Sequence, residues 1–509
     1  MSNPNPPAAA RPWSHAWWRW IAGAALALYA VFLGANFSPY AGGADSSGYL
    51  NSARLLAAGS FGAEPRIPAE FGPPGHLNLQ QFQPHGFVPF NASPRFSPTY
   101  PVGLPLHLAL AGSLFGWTAA PFVVGLGTAL AALVLVYAVG RQFALPPALA
   151  AAGAATLAAY PVFIFMSLQP LSDTLATAWC LAAVWAALRA RNRAGWAAAC
   201  GAAFAVAVLV RATNLLLLPA LVVLLGADAR RLGLAFLGGL PGALGLGYYQ
   251  HVLYGNAFRS GYVDIAQAFG WAHGWPTAVH FAQWLALLLP ALLLLLPWFA
   301  LGGKPRRPRE LTALALWFGA FAGFYIFYEV SHEVWWNLRF LLPGTPALIF
   351  AGLLGIAAFA QGRSPVTAQR WLVGTAVALT LWAAGLGVFW TKRFHLLLTP
   401  TYERAYAEAA AATRTHFPAG TLVVAGLNTG SLIYYTDLPV LRWEFIRPEH
   451  FRHFVALAGS AGRQVAAVLH RTEEADVFQN HCPGAWTRVT TVRDFSLWRL
   501  DAAAPGQGR

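Results

Sequence analysis

Gly42-Gly43-Ala44-Asp45-Ser46-Ser47-Gly48-Tyr49 follows directly on a hydrophobic segment, and Ser97-Pro98-Thr99-Tyr100-Pro101 closes the loop, residues 38 to 100, that these two stretches bracket. A carboxylate is thereby set at the end of an apolar segment in a glycine-loosened turn. Asp45 has two readings. It is a reactive group at a membrane surface, or it caps the helix that the run Ser47 to Leu56 would form, since Asp is a common helix N-terminal signal. The neighbours that other segments bring to the same face decide between them.

The composition makes those other segments membrane spans. Of 509 residues, 57% are hydrophobic and 10% charged, and the mean hydropathy is +0.49, which is far more apolar than a soluble domain of this size. The formal charge of +14 falls in short clusters between apolar runs, the pattern of the positive-inside rule rather than of a nucleic-acid-binding surface. No nucleic-acid partner is therefore expected. Cys180, Cys200 and Cys482 give no disulfide framework. The N-terminal run follows Arg11 and Arg19 without a small-residue cleavage site, so it reads as an uncleaved first span with a cytoplasmic N-terminus.

That first span covers about residues 17 to 37. Pro101 to Trp117 is too short to cross and is assigned as re-entrant or interfacial, which places Arg141, after the next span, on the inside. Pro147 to Ser167 goes outward and Leu171 to Leu188 returns to Arg189, Arg191 and Arg193. Gly195 to Val210 and Asn214 to Gly226 read as two short spans, because one helix through Arg211 would bury that arginine mid-span at a cost of about 2.5 kcal/mol or more. Leu232 to Tyr254 exits, and Phe281 to Leu301 returns to Lys304-Pro305-Arg306-Arg307-Pro308-Arg309, the strongest cytoplasmic marker. Leu311 to Tyr328, Phe340 to Phe359 and Trp371 to Trp390 complete an α-helical polytopic membrane protein of about eleven spans, residues 1 to 390.

From residue 391 to 509 the composition is that of a soluble domain, expected on the outer side. A helix over Tyr402 to His416 precedes a buried strand at Thr421 to Ala425. Leu438 to Leu441 is an edge strand at best because of Pro439, and Gln464 to Leu469 is a further buried strand. This reads as a small α/β domain. Its Gly426-Leu427-Asn428-Thr429-Gly430 turn lacks dinucleotide spacing and reads as structural.

With this topology the outer ends of separate spans present Asp45, Asp173, Arg211, Arg259 and the group His332, Glu333 and Arg339 on one face. Each arginine alone would be a snorkelling anchor. Together, two carboxylates and several arginines facing an aromatic loop suit a reaction on an anionic lipid, because a guanidinium fork matches a phosphate in two bonds. His76, His85, His332 and Glu333 lack metal-ligand spacing, so no metal is assigned. A serine-nucleophile elbow and a phosphate-cradling Gly-Lys-Ser/Thr loop are both missing.

The order and sidedness of these motifs resemble the polyprenyl-phosphate-sugar-dependent membrane glycosyltransferases of the GT-C fold, the group containing protein O-mannosyltransferases and lipid A aminoarabinose transferases. The likeness covers most of residues 17 to 390 and rests on Asp45 after the first span, Pro98-Thr99-Tyr100-Pro101, Ser172-Asp173-Thr174 and Arg339-Phe340-Leu341-Leu342-Pro343. It implies glycosyl transfer with Asp45 and Asp173 as catalytic residues. Arg211, Arg259 and Arg339 would bind the donor phosphate, and Tyr49, Tyr100, His332 and Glu333 would line the substrate. Many members carry a second acid directly after the first, where this chain has Ser46; Glu64 and Glu70 are the alternatives, and Arg54, Arg66 and Arg95 the basic candidates of the first loop.

The expected function is inverting transfer from an undecaprenyl- or dolichyl-phosphate sugar to a lipid, glycan or protein acceptor on the outer face, with the inner membrane of a bacterium as location. Asp45 would take the acceptor proton. No nucleotide or redox cofactor is implied, because the lipid phosphate is itself the leaving group. The alternative is a non-catalytic transporter or flippase of lipid-linked saccharides, which would carry mid-span ionisable residues and repeat symmetry; neither is visible in the sequence.

Overall fold

The structure, a computed structural model, describes residues 16–89, 94–262, 267–295, 307–361 and 363–501. Lys304, Pro305 and Arg306 of the expected cytoplasmic marker lie outside these described residues, as does the end of the segment expected at Phe281 to Leu301.

Apart from the first loop, the described residues between 16 and 393 are mostly apolar helices, and their breaks follow local chemistry. Pro147–Ala159 and Pro161–Ser167 bend by 63° at Tyr160, because Pro161 pushes the residue before it out of the helical region. The Arg339-Phe340-Leu341-Leu342-Pro343 element forms not the start of a straight span but part of a 3₁₀ turn, Trp335–Leu341, set at 81° to the helix Thr345–Phe359. At Arg211 the chain turns extended (φ −150°, ψ 120°), separating the helix Trp196–Val210 from the 3₁₀ turn Ala212–Leu217 and the helix Leu218–Leu225.

Among the described residues, Ala120–Gln142, Ala229–Tyr254 and Pro365–Arg393 are each long and apolar enough to cross a membrane, and the two bent pairs raise the number to five. The expected eleven is not reached by that measure. The eleven include runs already read as short, and the helix Trp196–Val210, with 15 residues, spans only about 22 Å. Gly103–Phe115 has 13 residues and is also short; it buries Leu104 and Leu108 while exposing Leu106, Leu110 and Leu114.

Basic residues from separate connections meet at one end of the bundle. Arg191 pairs with Glu310 at 2.8 Å, Arg309 donates to the carbonyls of Val223 and Leu224, and Arg231 donates to that of Leu225. Arg189 lies over Trp196, at the opposite end of the Trp196–Val210 helix from Arg211. Arg189, Arg191, Arg231 and Arg309, from separate connections, thus share one region of the bundle.

The described residues of the first loop are folded. They contain the helix Ala44–Ala57, three short 3₁₀ turns, and an antiparallel pair, β1 (Phe87–Pro89) and β2 (Phe96–Pro98). The C-terminal domain carries β3 (Leu422–Ala425), β4 (Val440–Arg442), β5 (Val465–His470), β6 (Trp486–Val492) and β7 (Phe495–Leu500) in the order β4-β3-β5-β7-β6, with β4 at the edge as Pro439 requires. Strands β4, β3 and β5 are parallel, whereas β6 and β7 form an antiparallel hairpin. The hairpin is absent from the sequence reading, because β6 is largely solvated and has no apolar run.

These two regions, distant in sequence, share one core. Phe71, Phe82, Phe87 and Phe96 of the loop pack with Leu422, Val424, Leu441, Phe451 and Phe454 of the domain. Glu70 receives a two-pronged bond from Arg463, with Nε–Oε1 at 2.6 Å. Burial of large aromatic side chains against each other is worth roughly 1.5–3 kcal/mol apiece, so loop and domain form one folded unit.

A labelling experiment checks this placement. Cysteines introduced singly at the exposed positions Gln80 and Ser460 are expected to react alike with an impermeant thiol reagent added outside, and one at Arg230 to be protected. The three native cysteines are buried and leave a low background. Labelling of only one of Gln80→Cys and Ser460→Cys would break the shared core.

Candidate active site

Gly43 begins the Ala44–Ala57 helix without a side-chain cap of its own, and Asp45 is the second helical residue. Its carboxylate does not cap the helix. It turns to Arg339, whose Nη1 donates to Oδ2 at 3.0 Å, and it accepts a hydrogen bond from Tyr100. Burial pushes the Asp45 pKa up, but the Arg339 guanidinium and the bonds from Tyr100 and Arg339 outweigh this and hold it below the usual carboxylate range. Tyr100, raised by burial and by the Asp45 charge, keeps its proton and can donate. The Asp45 side chain remains 33% exposed, so it is still reachable.

A second ion pair stands beside the first. Arg211 Nη1 is bonded to Asp173 Oδ1, and the carboxylate is only 2% exposed. Phe340 links the pairs, with the guanidinium of Arg339 5.5 Å and that of Arg211 5.9 Å from its ring centroid. The ring itself stacks on Tyr325 at 4.9 Å, and the Tyr325 hydroxyl donates to Thr213. The 3₁₀ turns on either side of the site are thereby clamped. Arg339 Nε is buried with no hydrogen-bond partner among the described residues, leaving a donor for an arriving anion.

Tyrosines form the remaining wall. Tyr49 is buried, packs its ring 4.9 Å from that of Tyr100, and donates to Ser172 next to Asp173. Gly48 makes that packing possible, since a Cβ there would sit 2.6 Å from the Tyr100 ring and 2.9 Å from the Gly86 backbone. Tyr262 was not a sequence candidate. Its half-exposed ring follows Gly261 at the end of the described stretch, within electrostatic range of Arg211, Asp45 and Arg339. Gly261 brings it there by packing against Pro98 and Thr99 closer than any side chain would allow.

The sequence candidates thus divide. Asp45, Asp173, Arg211, Arg339, Tyr49 and Tyr100 come together. Arg259 is exposed on the loop after the Ala229–Tyr254 helix. His332 stacks on His273 and lies 3.4 Å from Thr277, and Glu333 is exposed. Their nearness in sequence to Arg339 misleads because a separate 3₁₀ turn, Glu329–His332, carries His332.

None of the first-loop alternatives reaches Asp45. Glu64 pairs with Arg95, Glu70 with Arg463, Arg54 lies over Tyr434, and Arg66 donates to Ile433 and Thr436. The acid beside Ser46 is Glu403, from the C-terminal domain. Among the described residues no group of three or more His, Cys, Asp or Glu is arranged to hold a metal ion.

No protein-family profile and no curated protein matches this sequence. Solved structures do match. ArnT from Cupriavidus metallidurans bound to undecaprenyl phosphate aligns at a TM-score of 0.57 with 15% identity, over 96% of this chain and 98% of that one. The same protein in the apo state gives 0.58 at 16% identity with the same coverage. AglB, the oligosaccharyltransferase of Archaeoglobus fulgidus, in complex with an inhibitory peptide and a dolichol-phosphate, aligns at 0.53 with 12% identity over 98% of this chain and 75% of its own. With its bundle of apolar helices, its folded first loop and its C-terminal sheet domain, this chain has the fold of the GT-C membrane glycosyltransferases.

Proposed function

We propose that the protein transfers a sugar from a polyprenyl-phosphate donor to an acceptor hydroxyl, amide or amine on the outer face of the membrane, with inversion at the anomeric carbon. The observation that carries this reading is the reachable Asp45 carboxylate held against Arg339, with Arg211 across the same Phe340 ring. The acceptor atom attacks the anomeric carbon and the bond from that carbon to the phosphate oxygen breaks. The lipid phosphate leaves with the electron pair, and Asp45 takes the acceptor proton. The developing charge is met by guanidinium groups fixed in advance.

Asp45 in its resting pair with Arg339 is a weak base. An anionic donor competes for that guanidinium, so its arrival loosens the pair and raises the basicity of Asp45 when an acceptor needs it. Neighbouring folds solved with undecaprenyl phosphate and dolichol-phosphate support a lipid-phosphate donor. Orientation rests on the basic cluster at the far end of the bundle.

Purified protein is tested with a purified polyprenyl-phosphate sugar and an acceptor extract. A new glycosidic bond detected by mass analysis is expected, whereas movement of the intact lipid-linked saccharide without bond exchange would favour transport. Arg339→Lys keeps the charge but loses the fork, so donor KM is expected to rise about tenfold or more. An unchanged donor KM would remove Arg339 from phosphate binding.

A further inference from the structure

Glu403, on the helix Thr399–His416, accepts two hydrogen bonds on its Oε2 atom: one from the Gly43 backbone N–H at 3.3 Å and one from the Ser46 hydroxyl at 3.1 Å. The donors flank Asp45 in sequence, and the partners are 360 residues apart. A helix N-terminus has unsatisfied N–H groups and favours negative charge, and Gly43 brings no side chain to meet either need. Glu403 supplies from another part of the fold what a local cap would supply.

The surrounding contacts show that this approach is built. Gly42 passes so close that a Cβ there would lie 1.9 Å from Glu403 Oε2. Gly430 is pressed equally tightly against Ser47, with 2.2 Å from its Cβ position to the hydroxyl. Ser431 donates to the Gly42 carbonyl at 2.6 Å, Ala41 N–H donates to the Tyr435 hydroxyl at 2.9 Å, and Asn51 donates to the Gly430 carbonyl at 2.9 Å. The turn 426–430 and the helix Thr429–Tyr435 that it opens, at the end of β3, thus seat the helix that carries Asp45.

We propose that Glu403 is a positioning residue. It caps the Asp45 helix from the C-terminal domain and fixes the turn from which Asp45 meets acceptor, so that the domain takes part in catalysis without touching substrate. The proposal rests on Asp45 being the base as far as rates are concerned. The contact itself can be read without any assay of transfer.

Three variants of the full-length protein test it: Glu403→Ala, Glu403→Gln and Gly42→Ala. Both bonds fall on one oxygen, so the glutamine carbonyl can accept both, whereas alanine accepts neither. Amide hydrogen exchange in the peptide covering residues 41–50 is expected to quicken about tenfold in Glu403→Ala and to stay near wild type in Glu403→Gln. Transfer should follow the same order, with kcat down about tenfold in the alanine variant and donor KM unchanged. Gly42→Ala should behave like Glu403→Ala, and the double variant no worse than either, because both act on one contact.

Unchanged exchange in Glu403→Ala would overturn the proposal. So would a glutamine variant with native exchange and the low kcat of alanine, since that would assign the effect to the charge or to proton handling. Quickened exchange throughout β3 and β5 would show a general loss of the domain and overturn local positioning. Should no form of the protein transfer sugar, the reading of function fails and the exchange data still decide the role of Glu403.

Discussion

Asp45→Asn is expected to lower the rate of sugar transfer by about 10²-fold or more, the usual scale of general base catalysis, while donor affinity stays the same or tightens. Asparagine preserves size and can still face Arg339 and Tyr100, but it cannot take a proton at neutral pH. Losing the carboxylate also frees Arg339 for the donor phosphate, so binding and turnover move apart. In the wild type, the carboxylate is held below the ordinary range by Arg339 and Tyr100 against the effect of burial. The acid limb of transfer should therefore lie below the usual carboxylate range in the resting enzyme and move up when donor saturates. The measurement is kcat, donor KM and direct donor binding over pH. A helix cap would give a different result, because Asn caps as well as Asp and only stability would change slightly. Undiminished transfer by Asp45→Asn would remove Asp45 from the mechanism.

Asp173→Asn is expected to damage folding more than chemistry. Its carboxylate is 2% exposed and bonded to Arg211, itself only 16% exposed, so no acceptor can reach it. Removing one member leaves a buried guanidinium without its counter-charge, which costs about 3–5 kcal/mol. Yield and thermal midpoint of the purified protein should fall sharply, and donor affinity with them, since Arg211 would lose its aim. Replacing both members by apolar residues, Asp173→Leu with Arg211→Met, should recover much of the stability but not donor binding. A stable Asp173→Asn protein without transfer would mean that Asp173 reacts directly, returning it to the catalytic role that the family resemblance implies.

Local composition carried the broad outline of the protein. Apolar runs, basic clusters and the first-loop carboxylate were legible because hydropathy and charge bias are properties of a few consecutive residues, and the solvation they report does not depend on partners. The edge position of β4 was legible in the same way, since Pro439 removes a sheet donor whatever its neighbours. The breaks at Tyr160 and Pro343 turned expected straight spans into bent ones, whereas the break at Arg211 falls where the charge of that arginine led the sequence reading to expect it.

Which charges meet was decided by tertiary structure alone. Asp45 and Arg339 are 294 residues apart, and no periodicity encodes that pairing; it follows from the angle of one 3₁₀ turn and the ring of Phe340. The same turns left His332 and Glu333, adjacent to Arg339 in sequence, outside the cluster. Tyr262 entered through the close packing of Gly261, and Glu403 through a core shared by the first loop and the C-terminal domain. A carboxylate and arginines near the ends of apolar runs were legible from consecutive residues alone. Their selection into a site required the fold, because electrostatic and hydrogen-bond energies depend on distances of a few ångströms that chain separation does not set.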